Sequence, residues 1–244
     1  MTNVRRQLRA VGVTLGVALG SFVIGAILLL LVSQSLSAVG ISLLDRPALR
    51  LGLSTVLLQG VTFGGVALVY LRTRDSGLEF IGLRVPTRRD IAWVVGGFIA
   101  LLVAVRVLSA VIAYLGFDHA SNQIIEIGRQ EPTVFLVLIP LSFLLVGPGE
   151  ELLFRGLIQG TLRESFHPAR AIVLASLIFA MVHVFSLQGS GKLVYIGLVF
   201  TLSLVLGAAY ELTDNLAVPA LIHGAYNAVQ FGLAYYTVTQ GTAL

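Results

Sequence analysis

The chain has 244 residues, 57% of them hydrophobic and 11% charged, against roughly 45–50% apolar and 25% charged in an ordinary soluble domain. That composition excludes a soluble enzyme. The net charge of +4 carries no nucleic-acid signal, because all but one of the 16 basic residues are arginines, most of them beside apolar runs, and the absence of cysteine excludes disulfides, thiolate nucleophiles and cysteine-held metals.

Seven apolar stretches come near the ~20 residues that a helix needs to cross about 30 Å of hydrocarbon. A membrane β-barrel would show segments of about ten residues with alternating polarity, whereas Ala26 to Val32 is continuously apolar. The expected fold class is an all-α integral membrane protein, a bundle of about seven transmembrane helices. The first span is Val11–Val32, 22 residues without a charge, too long for the roughly 7–15 residues of a signal-peptide core. The second is Leu51–Leu71 and the third Ile91–Leu115. The fourth begins at Thr133 and reaches Arg163-Glu164, followed by Ala171–Leu187, Leu193–Tyr210 and Leu216–Tyr236.

Arg5, Arg6 and Arg9 precede the first span, and Arg72, Arg74, Arg84, Arg88 and Arg89 follow the second. This arginine bias places the N-terminus on the cytoplasmic side of a plasma membrane. Loops 72–90, 163–170 and 211–215 are then inside, and 33–50, 116–132 and 188–192 outside. His119 and His167 fall in loops and read as ordinary solvated residues. Two regions of one folding unit are expected: 1–131, three helices without a recognised motif, and 132–236, which holds the polar chemistry. Spans one to three carry a single charge, Arg106, read as snorkelling or paired within the bundle.

The fourth span contains Gly147-Pro148-Gly149-Glu150-Glu151, then Arg155. The Gly-Pro-Gly step predicts a kink or break that leaves the carboxylates at the positive end of the next helical piece. Glu151 and Arg155 are four apart and share a face as an ion pair. Glu150, rotated about 100° away, needs a partner on another helix or water. The fifth span carries His183 and the seventh His223 and Asn227. Glu150, His183 and Asn227 each lie 13 residues from an inner marker (Arg163, Arg170 and Asp214), about 20 Å at ~1.5 Å per residue. His223 comes about one turn closer to the inner face, from which the site is expected to be reached. Singly, each group has a structural reading: Glu151 and Arg155 as a clamp, His183 as a packing hydrogen bond, Asn227 as interhelical glue. Together, at matched depth in a membrane, they point to chemistry.

Glu150-Glu151-Leu-Leu-Phe-Arg155, Phe179-Ala-Met-Val-His183 and His223-Gly-Ala-Tyr-Asn227 resemble the three motifs of the CPBP intramembrane proteases. That family includes type II CAAX prenyl endopeptidases and bacteriocin-processing or bacteriocin-immunity proteins. The resemblance covers about Thr133 to Phe231. It implies an intramembrane endopeptidase that hydrolyses a peptide bond of a membrane-associated peptide or protein. Glu150 would activate water with the help of His183, His223 and Asn227 would hold the oxyanion or a metal, and Glu151 and Arg155 would support them. The alternative is a non-enzymatic scaffold, immunity protein or transporter using the same polar cavity. No organic cofactor is expected. Zinc stays open, with Glu150, His183 and His223 as candidate ligands, although the spacing does not demand it and an amide such as Asn227 suits an oxyanion better than zinc.

Overall fold

Apolar runs of this length have few ways to satisfy their backbone groups in lipid, and the computed structural model takes the helical one almost throughout. It describes residues 3–118 and 120–241, so His119 lies outside the described residues. Eight helices follow in chain order among them: α1 (Asn3–Ala38), α2 (Pro47–Thr73), α3 (Arg88–Tyr114), α4 (Gln123–Gln130), α5 (Thr133–Arg163), α6 (Pro168–Ser186), α7 (Lys192–Thr213) and α8 (Ala217–Gln240). Six of these, α1, α2, α3, α5, α6 and α7, are long and apolar enough to cross a membrane. The 24-residue α8 matches them in length and packs against α3, α5 and α7; its apolar run is interrupted by His223, Asn227 and Gln230. The chain is an all-helical, multi-pass integral membrane protein.

The connection after α3 is more than a plain loop. It holds α4, capped by the Asn122 side chain, which accepts from the Ile124 amide at 2.9 Å. It also holds strand β1 (Ser121–Asn122), which pairs antiparallel with β2 (Leu187–Gln188) directly after α6.

Burial follows the logic of lipid rather than water. Along α1 the buried residues are Ala10, Thr14, Ala18, Ser21 and Gly25, a small-residue stripe at three- and four-residue spacing, while Leu15, Leu19, Val23, Ile27 and Leu30 face outward. Between helices in lipid, close backbone approach replaces the hydrophobic effect as the source of attraction. With 36 residues, α1 is about 54 Å long at ~1.5 Å per residue, well beyond the expected Val11–Val32. Its lower end is tied down by Arg6, which donates to the Glu164 carbonyl.

The same device acts at the centre of α5, where the expected break does not occur. The helix runs unbroken through Pro140 and Pro148 because the turns before and after Gly147–Glu151 are wide π turns, Ser142–Val146 and Leu152–Gln159. The Gly147 amide donates to Ser142 five residues back, and the widened turn makes room for the Pro148 ring, which would clash in a regular helix. The two glycines serve packing. A methyl group at 147 would stand 2.5 Å from the Ala220 carbonyl oxygen on α8, and one at 149 would run into the Gln59 carbonyl on α2. Gly224 on α8 returns the contact, its missing Cβ leaving room for the Ser142 carbonyl.

At the arginine-rich end, the loop between α2 and α3 is knotted to the α7–α8 turn. Asp90 lies at the start of α3 and is buried. It accepts from the Thr87 amide and hydroxyl, both at 2.8 Å, from Arg84 at 2.8 Å, and from Asn215 at 3.4 Å. Arg84 also donates to the Thr213 carbonyl at 2.8 Å, and the Leu216 amide donates to Gly82 at 3.0 Å. Gly82 has φ +60°, with the Asp214 carbonyl where a side chain would begin. The knot sets where α8 starts, and hence where His223 falls.

Gly147→Ala and Gly149→Ala should each lower stability in detergent by about 1–3 kcal/mol through overpacking. Gly65→Ala, where a methyl group meets open space, should stay within about 0.5 kcal/mol of the parent. Equal thermal shifts at 65 and 149 would remove the close-packing argument.

Candidate active site

Three helices bring the sequence-predicted groups to the middle of the bundle, α5 with Glu150, Glu151 and Arg155, α6 with His183, and α8 with His223 and Asn227. Glu151 and Arg155 are 0% and 1% exposed, and Arg155 Nε stands 3.1 Å from Glu151 Oε2, as the four-residue spacing predicts. Arg155 Nη2 then donates to both the carbonyl and the hydroxyl of Ser203 on α7, at 3.0 Å each. One turn on, Gln159 repeats the pattern and donates to the Gly207 carbonyl at 3.1 Å. Two successive turns of α5 are thus fastened to two successive turns of α7 by buried polar groups.

The other oxygen of Glu151 faces His223, whose Nδ1 lies 2.8 Å from Oε1. An ionised carboxylate only accepts, so Nδ1 carries the proton and the ring is held with Nε2 towards Glu150. Nε2 is 4.0 Å from Glu150 Oε2, too long for a direct hydrogen bond. An oxygen atom placed off that line reaches both at about 2.8 Å. Glu150 is 14% exposed. Its Oε1 accepts a long hydrogen bond from the Gln59 side chain of α2 at 3.5 Å.

His183 closes the last turn of α6. Its Nδ1 is 2.7 Å from the Phe179 carbonyl; a carbonyl only accepts, so in the neutral ring Nε2 keeps a free lone pair. The Phe179 ring is the common neighbour of the site. Arg155 lies over its face at 4.8 Å, and His183, Phe154 and His223 stand at 4.6, 4.9 and 6.0 Å between ring centroids. Asn227 is half-buried, one turn beyond His223 on the same side of α8, and makes no hydrogen bond among the described residues. Arg106 is exposed and has no ion pair among the described residues, which fits snorkelling and not pairing within the bundle.

The structure changes the expected arrangement in one respect. The depth count set His223 a turn away from Glu150, yet His223 faces both glutamates. The π turns of α5 contribute to this, because a wider turn advances less along the axis per residue and draws Glu150 towards the arginine-rich end. Residues 153–162 of α5, between the site and the arginine-bearing end, are all buried.

Among the described residues no three His, Cys, Asp or Glu side chains are gathered closely enough to hold a metal ion. His183 Nδ1 is committed to Phe179 and His223 Nδ1 to Glu151, which leaves Nε2 of each ring free, the nitrogen through which a histidine oriented in this way binds metal. The donor set of Glu150, His183 and His223 suits zinc but is not drawn together as a metal site.

Residues 132–229 match the family model described as type II CAAX prenyl endopeptidase Rce1-like. Over these residues the chain is similar to that family of membrane endopeptidases. The membrane-embedded CAAX protease MroQ of Staphylococcus aureus (strain USA300) is 27% identical over 173 residues, which are 66% of this chain and 65% of the relative. The chain therefore spans about 65% of that relative's length. No solved structure matches the chain.

All three CPBP motifs lie inside the matched segment, while Gln59, which touches the site, lies outside it. Sequence reasoning missed Gln59, Ser203 and the role of Phe179. An amide in the apolar run of α2 was the signal for the first, since polar groups at membrane depth are costly. Nothing in the chain marked Ser203.

The two carboxylates should separate by stability. Glu151→Gln leaves Arg155 and His223 buried without their counter-charge and should cost about 3–5 kcal/mol. Glu150→Gln, with one long hydrogen bond, should change stability by no more than about 1 kcal/mol. Thermal melts of the two variants in detergent check this, and the reverse order would exchange their roles.

Proposed function

We propose that the chain is an intramembrane endopeptidase that cleaves a membrane-associated peptide or protein, with Glu150 as general base. The observation that carries this reading is the contrast between adjacent carboxylates. Glu151 is spent on Arg155 and His223, whereas Glu150 faces a gap bordered by His223 Nε2 with lone pairs to spare. A carboxylate held by a single long hydrogen bond keeps lone pairs with which to take a proton from water.

In this reading water loses a proton to Glu150 and attacks the scissile carbonyl, with His183 assisting through its free Nε2. His223 is held by Glu151 much as a buried carboxylate orients the histidine of a hydrolase triad. As an imidazolium it donates from Nε2 to the developing oxyanion, and the uncommitted Asn227 amide supplies a second donor. Collapse of the tetrahedral intermediate breaks the C–N bond, and the proton held by Glu150 goes to the leaving amine. The membrane-embedded protease character of the family and the CAAX protease name of the relative support the reading. The same reading places the N-terminus on the cytoplasmic side of the plasma membrane, with the arginine-rich loops 72–90 and 163–170 beside it.

The test is a cleavage screen with purified protein in liposomes, using prenylated and unmodified peptides. Glu150→Ala should abolish turnover, and Asn227→Ala should lower kcat about 10²-fold or more while the protein stays folded. Cleavage that survives Glu150→Ala would remove the mechanism. Chelation should leave activity unchanged. Stoichiometric zinc whose removal and return switch activity off and on would instead make Glu150, His183 and His223 ligands.

Topology is checked separately. The sequence contains no cysteine, so single cysteines introduced at 77 or 86 should react with an impermeant reagent from the cytoplasmic side alone. Reaction from outside alone would invert the orientation.

A further inference from the structure

Gln59 brings an amide from the first half of the chain to a site whose motifs all lie in the second. It sits in the middle of a π-helical stretch, Val56–Thr62, and the Thr62 hydroxyl donates to the Leu57 carbonyl five residues back at 2.7 Å. Single π turns inside α-helices cost hydrogen-bond quality and occur frequently at functional sites. Here the turn is pressed against Gly149, whose lack of a side chain lets the Gln59 backbone lie directly beside the residue preceding Glu150.

The two ends of the Gln59 carboxamide are in different situations. Nε2 points to Glu150 Oε1 at 3.5 Å. The opposite amide orientation would set a carbonyl oxygen against a carboxylate oxygen, so this assignment follows from charge. Oε1 is then buried and accepts from no donor among the described residues. Most buried polar atoms in folded proteins are paired, and an exception in a native interior calls for an explanation. Leaving this oxygen unpaired costs stability, and the orientation that strands it is the one that keeps the amide N–H on Glu150.

We propose that Gln59 is a positioning residue of this site: its amide N–H holds the Glu150 carboxylate in place for the proton it takes from water, at the expense of its own buried carbonyl oxygen. This inference rests on the protease reading above.

The experiment compares Gln59→Met, which keeps the bulk and removes both polar ends, with Gln59→Glu, which keeps an acceptor and adds a charge. Both are assayed beside the parent chain and Glu150→Gln in liposomes, with kcat, KM, pH profile and melting temperature. For Gln59→Met the expected result is a fall in kcat of about tenfold or more, KM within about twofold, and a melting temperature no lower than the parent's, since an unpaired buried carbonyl has been removed. A purely structural glutamine would lose stability instead. For Gln59→Glu the acid limb of the kcat/KM profile should move to higher pH, because a second carboxylate disfavours the charged base. If Gln59→Met does not fold, the pH profile of Gln59→Glu decides.

Parent-like kcat in Gln59→Met overturns the proposal and leaves the protease reading standing. So does an unmoved acid limb in Gln59→Glu. A folded parent chain that cleaves nothing in the screen overturns the protease reading, and this proposal with it.

Discussion

Ionised groups at membrane depth must find partners inside the protein, and Glu151 finds two. One oxygen meets Arg155 on its own helix and the other meets His223 on α8, while Arg155 reaches on to Ser203 of α7. A single buried carboxylate therefore holds three helices in a fixed relation, and it does so without exposure. The partnership also fixes which nitrogen of His223 faces Glu150. The adjacent glutamate is left poorly partnered because its neighbour has taken the strong donors. In this sense the charge that stabilises the bundle and the charge that stands ready for a proton are consequences of one arrangement.

That arrangement needs backbones closer together than ordinary side chains allow. Gly147 and Gly224 bring α5 and α8 together, and Gly149 does the same for α5 and α2. The π turns in α2 and α5 lie beside these contacts. Widened turns rotate the residues that follow relative to a regular helix, so Glu150 and Gln59 can face one another although both helices continue as straight-through spans. The Phe179 ring fills the space between Arg155 and the two histidines, separating the ion pair from His183 with an apolar surface whose face still favours the cation.

Much of this was legible in the sequence. Long apolar runs announce helices because lipid leaves the backbone little alternative, and the rods were expected within a few residues at most ends. The Glu151–Arg155 pair was legible because spacing on one helix is a local property. Local reasoning failed where a distant element decides the outcome. Gly147-Pro148-Gly149 reads as a break, since composition does not reveal that α2 and α8 occupy the space the missing side chains leave. His223 was placed a turn too far because the count assumed regular helices. Gln59 was passed over because an isolated amide has no pattern to belong to, and its partner lies 91 residues away.

The knot at the arginine-rich end has a consequence for the order in which the molecule assembles. Arg84 and Asp90 emerge early, but the Thr213 carbonyl and the Asn215 amide that complete their hydrogen bonding follow by more than 120 residues, 129 for one pair and 125 for the other. During synthesis the loop after α2 therefore waits, with its acidic and basic groups paired only to one another, while α3 to α7 enter the membrane. Closure comes when the turn before α8 leaves the ribosome, so the helix that carries His223 is also the one that locks the earlier half in place. Vectorial synthesis thus completes the latch and the site together, and a chain cut short before residue 215 lacks both the latch and the histidine.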